Sequence, residues 1–548
     1  MTFNKFYFCV LLLSLIAYSS LAQNVREYPL VLDMVHHNPG EPLYQSSYNH
    51  PETLKEMGYN GKVYFLFESP MLAINWESVS GDILPEGSED RKWVDQKAKE
   101  IRAMQADCKA NGMQVFAMSD LVLFPKRLIA KYEMEETFGD PRHPLTEKFI
   151  RIQIKEMFDQ FPELDGLTVR IGETYLHDAP YHKGAVKDKR DAENTIIPLM
   201  SILREEICEK RNKTLIFRSW VSFDVDLDTY LKVSDAIDPH PNLIISIKHC
   251  EGDFHRGNAF SKVIGQGRHQ QLIEVQCARE YEGKGAYPNY IAKGVIDGFE
   301  EHLQQEDLPV YSLSDFVKKH PDKYAGIWTW TRGGGWGGPY IQEETWCDLN
   351  AWVMAQWGID PSRSEEELFH RYAKERLKLQ LADVAKFRKL CVLSADAVIR
   401  GRNTTKGDMD PWWTRDQGIG WPVMPENEEQ SQRIIEQKQQ AVELWKQILT
   451  LSKAINWPDE RLATHMVGSA EYGLRLYQIY ESVVNISYAD FIKDEKLKEK
   501  WIRKYDKSWK VYNNLPEKYV ALATLYTPEY SRHIWFDNAH EKINGLRP

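Results

Sequence analysis

One grammar repeats along the first two thirds of the chain, and it constrains the fold more than any other feature. A short β-branched or aromatic run ends in polar residues, and a charged amphipathic stretch usually follows. Eight such runs occur: Leu30 to Val35, Lys62 to Phe67, Gln114 to Met118, Gly166 to Ile171, Leu215 to Val221, Leu243 to Ile247, Leu272 to Gln276 and Gly326 to Trp330. Helical patterns lie between them, most clearly Lys92 to Ala110 and Ala192 to Arg211. Eight strands alternating with connections predict an α/β fold, a (β/α)8 TIM barrel. An open doubly wound sheet would want a Gly-rich phosphate turn after an early strand, and the sequence has none. The stretch Asp253 to Gln271 has no helical pattern and reads as a long loop at the barrel mouth.

After Asp360-Pro361 the strand-like runs end. Long charged helical patterns replace them: Ser364 to Leu379, Asp383 to Arg400, Glu428 to Ile455 and Asp459 to Val484. The expected organisation is a signal peptide over 1–22, a catalytic barrel over 23–360 and an all-α C-terminal domain over 361–548. The leader has a positive charge at Lys5, an apolar run from Phe6 to Tyr18 and a small-residue cleavage site at Ser20-Leu21-Ala22. No later stretch is apolar and long enough to span a bilayer, so a periplasmic or secreted protein without membrane insertion is expected. Removal of the leader takes Cys9 and leaves six widely spaced cysteines, Cys108, Cys208, Cys250, Cys277, Cys347 and Cys391, which read as buried free thiols. A net charge of -11 argues against nucleic acid as a partner.

Barrel enzymes work at the C-terminal ends of their strands. Those ends here carry Asp33, Glu68 and Asp120 on the first three strands, then Arg170 and Glu173, Arg218, and Lys248 followed by Asp253. Strand seven leads to Glu280, and strand eight carries Trp328, Trp330 and Arg332. Two opposed carboxyl groups are the minimum for glycoside hydrolysis. Arg170, Arg218 and Lys248 crowd positive charge into the same mouth, which an anionic sugar would require and a neutral one would not. The residues therefore read as a glycosidase for an acidic oligosaccharide. Each has a plainer alternative. Glu173 could pair with Arg170 across the strand end, Glu280 with Arg279 or Arg268, and Asp253 could be a turn residue. Trp328 and Trp330 face the same way along one strand, to stack on sugar or to line the interior. His36, His37, His249 and His255 form no metal-ligand spacing, so neither metal nor cofactor is expected.

A loop from Gly407 to Pro425 interrupts the helical region and carries Trp412, Trp413, Arg415 and Trp421. These indoles are too apolar for a free loop. They are expected to line the cleft, with Trp413 as a substrate-binding residue, or a subunit interface, which would make the protein a homodimer; the plainer alternative is that they are core.

From strand four onward the sequence resembles the family 67 glycoside hydrolases, the α-glucuronidases that remove glucuronic or 4-O-methylglucuronic acid from xylan fragments. The matching segments are Ile216-Phe217-Arg218-Ser219-Trp220-Val221, Ser246-Ile247-Lys248 through Gly252-Asp253-Phe254, and Leu272-Ile273-Glu274-Val275-Gln276 through Arg279-Glu280-Tyr281-Glu282-Gly283. Tyr324-Ala325-Gly326-Ile327 and Trp357-Gly358-Ile359-Asp360-Pro361 follow. The resemblance implies an inverting mechanism with Glu173 as general acid, the base drawn from Asp253 and Glu280, and Arg170, Arg218 and Lys248 on the uronate-binding side. Against the family, the chain is expected to lack the N-terminal α/β domain, since the first strand-like run follows the leader closely. It also carries Asp33-Met34-Val35-His36-His37-Asn38 and Arg256-Gly257-Asn258 in place of two family motifs. The alternatives are a hydrolase of another acidic glycan and a non-catalytic barrel that binds acidic oligosaccharides.

Overall fold

The computed structural model describes residues 28–35, 46–120, 122–173, 176–252, 254, 256–275, 277, 286–305, 307–332, 344–402, 421–519 and 539–547. The leader and the segment 403–420 lie outside the described residues, as do Asp253, Glu280 and Trp413.

Eight parallel strands close into a barrel in chain order: β1 (Leu30–Val35), β2 (Gly61–Tyr64), β3 (Gln114–Ser119), β4 (Gly166–Val169), β5 (Thr214–Arg218), β6 (Leu243–Lys248), β7 (Gln270–Val275) and β8 (Tyr324–Arg332), with β8 pairing back onto β1. All eight expected strands are present. Some boundaries move: β3, β6 and β8 run further than expected, and β2, β4 and β5 stop short. β2 stops at Tyr64, for example, because Glu68 turns back to accept a hydrogen bond from Phe65 N at 3.1 Å and a single 3-10 turn forms there. An antiparallel ribbon, Val122–Pro125 with His182–Ala185, was not expected and lies beside the mouth of β3 and β4.

The closing seam needs a glycine. Gly326 pairs with Leu30 at φ +131°, and a Cβ there would stand 1.9 Å from the Leu30 carbonyl oxygen. Outside the barrel, α1 (Glu89–Ala110) and α2 (Pro144–Gln160) cover the first strands. The region expected as one helix from Ala192 to Arg211 is instead three consecutive pieces, with π turns on both sides of Ile197–Leu203.

α3 (Thr345–Ile359) leads out of the barrel, and its Gly358 packs directly on Ile327. The helical region follows as α4 (Leu381–Arg402), α5 (Glu428–Ala454), α6 (Glu460–Phe491) and α7 (Glu495–Asn513). Asn427, Asp459 and Asp494 cap the last three by accepting from Gln430 N, Leu462 N and Leu497 N. The six cysteines of the described residues are buried and none is in a disulfide. No helix among the described residues is long and apolar enough to cross a membrane.

Glu471 of α6 ties that helix to the chain after α7. Burial acts to raise its carboxyl, but bonds from Lys518, Tyr519 and Arg475 outweigh this and hold it at about 2, below the ordinary 4.5. A carboxyl depressed in the folded state contributes stability above its unfolded value and loses it as pH falls. Glu471→Gln is therefore expected to flatten the loss of stability between about pH 4.5 and about pH 2. Urea titrations of both proteins across that window check it.

Candidate active site at the barrel mouth

Strand period two sends alternate side chains into the barrel. The register sets the inward rows as Leu32 and Met34 on β1, Val63 on β2, Met118 on β3, Thr168 on β4, Arg218 on β5, Ser246 and Lys248 on β6, Glu274 on β7, and Trp328 and Trp330 on β8. At these positions near the mouth the interior is apolar along β1 to β3 and polar or aromatic along β4 to β8, while Ile216, Ile244 and Leu272 fill it further down.

The polar half is organised by one ion pair. Arg218 donates from Nε and Nη2 to the two carboxylate oxygens of Glu274, both at 2.7 Å, and each side chain is 0% exposed. Ser246, on the strand between, donates to the same carboxylate at 2.8 Å. The guanidinium lies 4.7 Å from the Trp330 ring centre and 5.6 Å from that of Trp328. Contacts from β5 to β8 that cross two intervening strands run through the interior, so Glu274 faces the lumen. Arg218 Nη1, Thr168 Oγ1 and Trp328 Nε1 have no hydrogen-bond partner among the described residues.

Arg218 therefore differs from the sequence expectation. Its charge is matched by Glu274 and it carries the floor of the site, with Nη1 alone left over. Trp330 differs too. It is 7% exposed and packs between Arg218, Trp328 and the edge of Phe254, so its ring is a wall of the interior.

Above this floor, Arg170 follows β4 and is buried. Its Nη2 is 3.4 Å from Asp120 Oδ2 and its Nη1 3.3 Å from Glu173 Oε2. Glu173 itself is 40% exposed, open to a ligand from the mouth. The plainer pairing of Glu173 with Arg170 is thus present, and it joins two expected site residues. Gly172 beside it is obligatory: a Cβ would stand 1.9 Å from the Trp220 carbonyl oxygen, so the ends of β4 and β5 touch through backbone.

Lys248 ends β6, almost fully buried, with its ammonium 3.2 Å from the Trp220 ring centre, 4.9 Å from Phe254 and 5.7 Å from Trp330. His249 stacks on Phe254 at 5.5 Å, and burial lowers its imidazole to about 3, so it stays neutral. Asp224, in the turn after β5, was missed by the sequence reading, because it looks like any turn aspartate. Burial raises its carboxyl above the usual range, and the nearby Lys248 and Arg218 act the other way.

The carboxylates of β1 and β2 are not part of this group. Asp33 alternates away from the inward Met34 and accepts from Thr329 Oγ1 at 2.8 Å. Glu68 folds back on Phe65 and faces Lys62 and Lys97, and burial raises its carboxyl. Of the remaining expected residues, Asp253, Glu280 and Trp413 lie outside the described residues, as does the side chain of Arg332. Their anchors are described. Arg256, three residues past Asp253, bridges Glu301 at 3.1 Å and Asp396 of α4 at 2.8 Å. Arg402, at the end of α4, donates to the Tyr287 hydroxyl at 3.4 Å.

No protein-family model matches the chain, and no curated protein matches it. Among solved structures it is similar to a GH138 enzyme targeting pectin rhamnogalacturonan II, with a TM-score of 0.51 and 12% identity over 95% of this chain and 83% of that one. It is also similar to a family 89 glycoside hydrolase from Clostridium perfringens, with a TM-score of 0.48 and 9% identity over 89% of this chain and 54% of that one. At 12% identity the likeness to the first is one of fold.

The buried pair gives a stability prediction. Removing one partner of a buried ion pair costs about 3–5 kcal/mol, whereas replacing both with apolar groups of similar volume is near neutral. Arg218→Met and Glu274→Leu alone are expected to lose about 3–5 kcal/mol each, and the double variant to regain most of it. Urea denaturation of the three variants measures the coupling directly.

Proposed function

We propose that the protein is an exported glycoside hydrolase. It removes an α-linked glucuronic or 4-O-methylglucuronic acid from the end of a plant-type polysaccharide fragment. The observation that carries the reading is the placement of Arg170 and Lys248, both buried cations, at the ends of β4 and β6, with the exposed carboxylate of Glu173 beside Arg170. A uronate carboxylate needs charged partners when water is excluded, and Arg170 and Lys248 supply them. Arg218 backs them from the floor through its remaining Nη1. Export rests on the leader sequence, Lys5 through Ala22.

In this reading Glu173 protonates the leaving glycosidic oxygen. A carboxylate drawn from Asp253 and Glu280 activates water on the opposite face of the sugar. Inversion requires acid and base to stand about 6.5–9.5 Å apart, so that the water fits between them. Trp413 would meet the leaving-group sugar from the helical side. The bond from Arg402 to Tyr287 supports this, since it joins the residues that flank the two segments carrying Trp413 and Glu280.

A second substrate is favoured by one observation. A barrel of the same fold targets a pectin, so another acidic glycan is the reading to test beside the first. A non-catalytic binder would use the same cations but would not need Glu173 at the mouth.

Incubation with defined aldouronic acids and with pectic fragments, followed by product chromatography, separates the three. Release of a free uronic acid supports hydrolysis and identifies the source; binding without release supports the binder. Glu173→Gln is expected to lower turnover on oligosaccharides by about 10²–10⁴-fold with the fold intact, and by less on a substrate with a good leaving group. Near-normal turnover on an oligosaccharide would overturn its assignment. Proton NMR of the first-formed anomer tests inversion: an α-linked substrate should give the β anomer first.

A further inference from the structure

The turn after β5 is built around one carboxylate. Asp224 Oδ1 accepts from Val221 N at 3.0 Å, and Asp224 Oδ2 accepts from the Ser219 hydroxyl at 3.0 Å. Val221 is held at φ +57°, a conformation that β-branched residues rarely adopt. Between the two anchored residues stands Trp220. Its carbonyl is lodged against Gly172, and its ring lies on the Lys248 ammonium at 3.2 Å. Phe223, buried and stacked on Tyr230 at 5.9 Å, fixes the far side of the turn. A chain in this shape has to be held, because an unstrained turn would swing the indole away from its place. Ser222 N and Phe223 N donate to the Ser219 carbonyl at 2.9 and 3.1 Å, and the Ser222 hydroxyl donates to the Lys189 carbonyl at 2.9 Å. Asp224 adds the two bonds that reach the residues on either side of Trp220.

We propose that Asp224 is a positioning residue: it locks the turn that lays the Trp220 indole on the Lys248 ammonium, and thereby fixes the cation that meets the substrate carboxylate. The last clause rests on the function proposed above; the lock itself does not. The cation is attracted to the ring face, and the ring covers one side of it and leaves its remaining donors a restricted set of directions. A lysine has a flexible stem, so a cap of this kind gives it the fixed aim that an arginine would have from its planar head.

The bond pattern makes a sharp distinction between a positioning role and a role for the negative charge. In Asp224→Asn the amide oxygen still accepts from Val221 N. The amide nitrogen then donates to Ser219 Oγ, whose hydrogen goes to the Ser246 carbonyl, already 3.1 Å away. The lock survives loss of the charge. In Asp224→Ala both bonds are gone.

The test uses the full-length protein without ligand. Lys248 is modified with an amine-reactive reagent, and its labelling rate is read by peptide mass spectrometry against exposed lysines of α7 as internal controls. Asp224→Ala is expected to label Lys248 at least about tenfold faster than the natural protein, the scale of losing one to two hydrogen bonds. Asp224→Asn is expected to remain within about twofold of it. Ser219→Ala removes one bond of the two and should fall between, which keeps the test open if the alanine variant at 224 does not fold. A natural rate in Asp224→Ala, or equal acceleration in Asp224→Asn, overturns the lock. Turnover then separates the two levels of the argument. If the lock sets the uronate-binding cation, Asp224→Ala raises KM for an acidic substrate with little change in kcat, and a neutral analogue is unaffected. Fast labelling with equal losses on both substrates leaves the lock standing and removes the uronate role of Lys248.

Discussion

The buried ion pair of Arg218 and Glu274 is the constraint on which the mouth of this barrel depends. A parallel barrel is ordinarily filled by branched apolar side chains in layers. Here β1 to β3 keep that pattern with Leu32, Met34, Val63 and Met118, while β5 to β7 place a guanidinium, a hydroxyl and a carboxylate at the same height. Neither charge would be tolerated alone without water. Paired bidentately, and shared with Ser246, they form a neutral polar floor that gives Trp328 and Trp330 a flat cation to pack on. Such a pair is weak evidence of net stability, because desolvation offsets most of its attraction. What it provides is a fixed geometry directly beneath the strand ends.

The mouth is assembled on that floor by contacts between neighbouring strands. Arg170 holds Asp120 on one side and Glu173 on the other, so the ends of β3 and β4 share one cation. Gly172 lets the backbone of β5 approach so closely that no larger residue fits, and Lys248 of β6 closes the row under Trp220. Two strand ends, those of β4 and β6, thus present cations, and each is held by a group that belongs to another strand end. Chemistry that depends on orientation gains from such an arrangement, because positioning lowers a barrier only if the groups are already in place.

The barrel was legible in the sequence because parallel strands are buried on both faces, and so appear as short continuous runs of Val, Ile, Leu and Phe. Every run of that kind became a strand. The ribbon of Val122–Pro125 and His182–Ala185 was not legible, since each half is four residues and its partner lies far along the chain. The candidate residues were legible as positions, because strand ends could be counted. It was not legible as roles. Arg218 reads as a ligand for an anion when seen on its own strand; its partner lies 56 residues away, on the next strand but one. Asp224 gave no signal at all, because an aspartate in a turn is the commonest place to find one. Its significance is visible only once Val221 is seen at a strained φ and Lys248 is seen under the intervening tryptophan.

The helical region bears on the site through the connections that leave β6, β7 and β8. The Asn350 side chain of α3 accepts from both Ile291 N and Ala292 N at 3.0 Å and donates to the Asn289 carbonyl at 3.0 Å. Tyr290 N donates to Ser394 Oγ of α4 at 3.0 Å, and Arg256 reaches Asp396 on the same helix. The chain after β7 is therefore fastened to α3 and α4 rather than to the barrel alone. Bonds to rigid helices restrict a loop more than bonds within the loop do, because the helices bring no conformational entropy of their own to lose. The attachment of the helices on this side carries the scaffold out to the connections that leave β6 and β7.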